Sequence, residues 1–86
     1  MNINQLSELV KKKILKNKII KKVQVEDKSF LHRKHKSNEL GKFHLKLIIE
    51  SDHLKKIDRI EANKIIHRIL ENEIKIYIHS LQILFI

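Results

Sequence analysis

The side chains of this 86-residue chain best suited to chemistry are its six histidines, because it contains no cysteine. Without thiols there is no disulfide, no thiol nucleophile, and no zinc or iron–sulfur site built on thiolates from this chain alone. Any soft metal ligand has to come from a partner. His32 and His35 are three apart in a polar stretch, a metal-pair spacing only where the backbone turns helically, so direct zinc binding by both is disfavoured. His79 falls in phase with Leu81 and Ile83. Its ordinary reading is a hydrogen-bonded histidine on an apolar strand face, with metal ligation as the alternative. His44 lies on the polar side of its strand, His67 sits beside Arg68 where solvation is the simpler role, and His53 has no evident company. No nucleophile, base and oxyanion donors can be assembled from these residues, and no enzymatic activity is expected.

The elements that must position these histidines can be read from apolar periodicity. Ile3, Leu6, Leu9, Val10 and Ile14 recur at helical spacing, with Asn2 and Gln5 placed as a capping box, which predicts a helix ending near Asn17. The period then changes to two. Val23 and Val25 alternate with Lys22, Gln24 and Glu26, a half-buried strand that stops around Asp27. Asp27 and Ser29 are spaced for an Asx-type turn that ends this strand and orients the loop after it. Residues 28 to 42 lack apolar periodicity, hold the only glycine, Gly41, and concentrate basic and small polar residues, so a long basic loop is expected.

Phe43, Leu45, Leu47 and Ile49 mark a second strand, antiparallel to the first. Ser51 and Asp52 open a main helix whose stripe of Ile57, Ile60, Ile65, Ile66, Ile69 and Leu70 reaches about Glu73. Leu81, Ile83 and Phe85, after Ile76, Tyr77 and Ile78, form a third strand. Helix, strand, strand, helix, strand is the expected order of a small α+β domain over residues 1–86, with both helices on one face of a three-stranded sheet.

The formal net charge is +9, from 19 Lys plus Arg against 10 Asp plus Glu, which favours phosphate polymers or acidic surfaces as company. A solvated face, with the lysine, isoleucine and asparagine bias of an AT-rich genome, is the blander explanation. No apolar run approaches the roughly 20 residues of a membrane span. The N-terminal region has neither a signal-peptide core nor the arginine-rich, acid-free character of a transit peptide, so a cytoplasmic location without membrane contact is expected.

Two stretches carry a family resemblance. Val25-Glu26-Asp27-Lys28-Ser29-Phe30-Leu31-His32-Arg33-Lys34-His35 resembles the BolA pattern of an Asp, a Ser two later and a His three after that, often with a second His three further on. His44-Leu45-Lys46-Leu47-Ile48-Ile49-Glu50-Ser51 is similar to the family's His-Phe-x-Val-x-hydrophobic-Val-Ser strand. The match continues through Leu70, Glu73 and Ile78-His79-Ser80-Leu81, where the family has Leu, Glu and Val-His-Ala-Leu, and is weakest in the first 20 residues. One departure stands out. The family's Arg-His-Arg at the start of the main helix is replaced by Ala62-Asn63-Lys64, and the preceding glycine by Lys56.

The resemblance implies a class II KH-like fold, with a mixed three-stranded sheet and helices on one side, no catalytic activity, and partnership with a monothiol glutaredoxin in iron–sulfur protein maturation or iron regulation. It also implies that His79 is one imidazole ligand of a shared [2Fe-2S] cluster and His32 the other, with His35 in reserve. The partner's cysteine and a glutathione thiol would complete the set, the chain being a monomer alone and a heterodimer with its partner. Imidazole suits iron, and histidines in place of two thiolates on one iron raise a cluster's potential.

The competing expectation is a nucleic-acid-binding transcriptional regulator using Lys11, Lys12, Lys13, Lys16, Lys18, Lys21, Lys22, Arg33, Lys34 and Lys36. Against it stand the missing Gly-x-x-Gly clamp of nucleic-acid-binding KH domains, the scarce aromatics and the replaced basic motif. A metal-free docking module using the main helix and the last strand is a third possibility.

Overall fold

The computed structural model describes residues 1–29 and 42–86. Helix α1 (Ile3–Leu15) starts on the expected capping box: Gln5 N–H donates to Asn2 Oδ1 at 2.8 Å, and Asn2 N–H donates to Gln5 Oε1 at 3.1 Å. Two orphan donors of the first turn are thereby satisfied. Leu6, Val10 and Ile14 form its buried stripe. Asn17 then reverses the chain: its Oδ1 accepts from Ile19 N–H and its carbonyl from Ile20 N–H.

Strand β1 (Lys22–Asp27) pairs antiparallel with β2 (Phe43–Glu50), which pairs parallel with β3 (Ile78–Phe85), in the order β1-β2-β3. A parallel return requires a crossover. It is supplied by the helical segment between β2 and β3. In register across the sheet lie Val25, Leu47 and Ile83, then Val23, Ile49 and Phe85. With Leu45 and Leu81 they make the apolar face on which the helices rest, as the mixed-sheet α+β expectation required. Leu45, Leu47 and Ile49 are 1% exposed or less, and burying each is worth about 1.5–3 kcal/mol.

The expected single main helix is instead three pieces: α2 (Asp52–Lys56), α3 (Arg59–Ile69) and α4 (Glu71–Ile76). Ser51 caps α2, accepting from Leu54 N–H at 3.2 Å while its hydroxyl donates to the Ile19 carbonyl at 2.7 Å. The first break has a chemical cause. Ile57 is extended (φ −84°, ψ 170°), and Asp58 restarts the helix by accepting from Ile60 N–H at 2.7 Å. Asp prefers a cap to a helix interior, because its carboxylate competes for backbone N–H groups. The break resets the helical phase and puts Ile60 64% exposed, off the stripe it was expected to join, while Ile66 and Leu70 remain in the core.

Leu70 (φ −101°, ψ 17°) bends the chain into α4, which ends with Tyr77 N–H on the Glu73 carbonyl. Ile76 and Tyr77 therefore belong to the end of a helix and not to the approach to a strand. Glu73, 5% exposed, accepts both of its short bonds from Lys13 Nζ, at 2.7 and 2.8 Å, and so ties α4 to α1.

Candidate metal-ligating site

The site lies where β1 ends and β3 begins, on either side of the central strand. Asp27 closes β1 as expected: its Oδ1 accepts from Ser29 N–H at 2.9 Å, an Asx turn. This turn grips one residue of β2. Lys28 N–H donates to the His44 carbonyl at 2.7 Å, and His44 N–H donates to Ser29 Oγ at 3.1 Å. Both main-chain polar groups of His44 are thus held by the end of β1.

On the other side, the parallel ladder slips. Phe43 stands opposite Ile78, but His44 stands opposite Ser80, so His79 is an extra residue on β3. Such a bulge re-aims the side chain it carries. Ile78 points into the core at 3% exposure, Leu81 and Ile83 pack on the same side, and His79 between them is exposed. The expectation that His79 shares an apolar face with Leu81 and Ile83 is therefore corrected. An unbroken strand would have buried it; one inserted residue turns it outward.

His44 lies on the side of β2 away from the helices, as its alternation with Leu45 and Leu47 predicts, but it is neither exposed nor without company there. It is 5% exposed. Its Nδ1 lies 2.7 Å from Ser80 Oγ in a hydrogen bond, and its ring meets that of His79 edge to face, centroids 4.9 Å apart and planes inclined by 62°. A signal for this arrangement was present in the sequence. Ile78 and Leu81 are both apolar but an odd number of residues apart, so they share a face only if one residue between them is bulged.

Two imidazoles thus stand side by side, one buried and pinned, the other open to solvent. His32 and His35, the expected loop ligands, lie outside the described residues. Among the described residues no three of His, Cys, Asp or Glu converge on one point. His53 and His67 are exposed on α2 and α3, in keeping with solvated roles. An exposed imidazole fits a metal centre carried on another molecule, because a partner can approach it from outside the chain.

The fold and this site define a small α+β domain with a surface histidine displayed at a bulge of its parallel edge strand. Residues 15–85 match the family model of BolA-like proteins, and the chain belongs to the BolA family. Its structure is similar to the BolA domain of SufE1 from Arabidopsis thaliana, with 24% sequence identity and a TM-score of 0.77, over 99% of this chain and 92% of that one. It is also similar to BolA1 from Arabidopsis thaliana, with 18% identity and a TM-score of 0.72, over 92% and 87% of the two chains. No curated protein matches the sequence. No described helix is long and apolar enough to cross a membrane.

Proposed function

We propose that this chain is a non-enzymatic adaptor that partners a monothiol glutaredoxin and shares a [2Fe-2S] cluster with it, in cluster trafficking or iron regulation. The observation that carries the reading is the bulge that takes His79 out of the core and leaves it exposed. Membership of the BolA family and the absence of cysteine support it in turn. His79 is one ligand and His32 the other, with His35 its substitute; the partner's cysteine and a glutathione thiol supply the thiolates. A cluster so bound would have a higher potential than an all-thiolate one. This chain's own residues contribute an exposed imidazole beside the hydrogen-bonded ring of His44.

Nucleic-acid binding is the lesser reading because two of the cations it needs are engaged and the family's basic motif is replaced. Lys13 is paired with Glu73 and Lys21 with Asp52. At the positions of the family's basic motif, Ala62 is buried, Asn63 donates to the Arg59 carbonyl at 2.8 Å, and Lys64 is 3.6 Å from Glu61.

The test is to mix the protein anaerobically with a cluster-loaded monothiol glutaredoxin and record visible absorption and circular dichroism, comparing wild type with His79→Ala. A spectral change with wild type that the variant lacks is expected. A spectrum that neither protein alters rules the shared cluster out and makes salt-dependent DNA binding the next experiment.

A further inference from the structure

His44 is a buried histidine to which the proposed coordination assigns no task. It is nevertheless held from both neighbouring strands: its carbonyl by Lys28 N–H, its own N–H by Ser29 Oγ, and its ring by Ser80 Oγ. The ring fixed in this way lies against His79, at 4.9 Å between centroids. An exposed side chain on a bulge, left to itself, exchanges rotamers in picoseconds to nanoseconds. A ring packed edge-on against an immobile neighbour has fewer orientations to lose when its nitrogen is captured.

We infer that His44, anchored by Ser80, is a positioning residue that sets the ring orientation of His79. His44 touches no metal in this scheme and acts through its neighbour, as the outer partners of metal-bound histidines do. The consequence for cluster sharing rests on the function proposed above, whereas the orientation of His79 is a property of the protein alone. Fixing the ring before the partner arrives removes part of the ordering entropy from the binding step.

The experiment has two arms, both using Ser80→Ala, which removes the anchor from an exposed position, Ser80→Thr, which keeps the hydroxyl, and His44→Leu, which removes the ring. In the free protein, NMR of the histidine side chains is expected to show a restricted His79 ring displaced by the His44 ring current. Ser80→Ala and His44→Leu should release it, and Ser80→Thr should preserve it. In the second arm, titration with cluster-loaded monothiol glutaredoxin is expected to give about tenfold weaker complexes for Ser80→Ala and His44→Leu, with Ser80→Thr like wild type. His79 signals that are identical in all four proteins overturn the positioning role, as do four complexes that form with equal affinity. If wild type forms no cluster complex while the ring signals respond as expected, the cluster reading fails and the positioning of His79 stands.

Discussion

Along β3, two kinds of environment adjoin. From Leu81 to Phe85 the strand is in regular register with β2 and lays alternate side chains on the helical layer; from Ile78 to Ser80 the ladder slips and carries a histidine out to solvent. The first region holds the fold through apolar contact of Leu81, Ile83 and Phe85, which has little directional chemistry. The second keeps one core side chain, Ile78, and beside it places two imidazoles and two serine hydroxyls within one small volume. Stability and chemistry are therefore separable in this molecule, and substitutions should divide along the same line.

The largest expected effect lies in the regular region. Leu47 is fully buried in the central strand between Val25 and Ile83, and Leu47→Ala should remove about 3 kcal/mol, read as a lowered denaturation midpoint. Next comes the pair that ties the two helical segments together. Lys13→Met leaves the Glu73 carboxylate 5% exposed and without its ammonium, and should cost about 2–3 kcal/mol. Adding Glu73→Leu should recover most of that loss; a double variant as unstable as the sum of the singles would show that the pair itself carries no coupling.

At the bulge the expectation reverses. His79→Ala alters an exposed side chain and should change stability by less than about 0.5 kcal/mol while abolishing the response to the loaded glutaredoxin. A large loss of stability would place the histidine in the core after all and erase the distinction between the two regions.

The smallest effect belongs to the solvent-exposed pair of Lys21 and Asp52, 2.9 Å apart. The hydrogen bond from Lys21, and then its charge, hold the Asp52 carboxyl below its ordinary value; the same bond and charge raise Lys21. For Asp52 the linkage favours the folded state above its unfolded value and is lost as pH falls through the depressed one. For Lys21 it is present below the unfolded value and lost as pH rises through the raised one. Asp52→Asn should flatten the acid limb of a stability profile slightly, and less so at high salt.

Much of this architecture was legible in the residues because it rests on period. The capping box of Asn2 and Gln5, the alternation of β1 and β2, and the Asx turn at Asp27 are local features with local causes, and each is found where it was expected. The errors share a different origin. In a chain so rich in isoleucine, a stripe can be drawn through a helix break, and the Asp58-Arg59-Ile60-Glu61 start signal was hidden inside one. The meeting of His79 with His44 came from a register shift between strands far apart in sequence, which only the phase conflict between Ile78 and Leu81 announced. Burial of a histidine was thus decided by pairing and not by the composition around it.

The most direct measurement is pulsed electron paramagnetic resonance on the reduced complex of 15N-histidine-labelled protein with a [2Fe-2S]-loaded, unlabelled monothiol glutaredoxin. Coupling of the cluster spin to imidazole 15N, lost or reduced in His79→Ala, is the expected result. A reduced cluster with no 15N coupling, or one unchanged by His79→Ala, would contradict the assignment of His79 as its ligand.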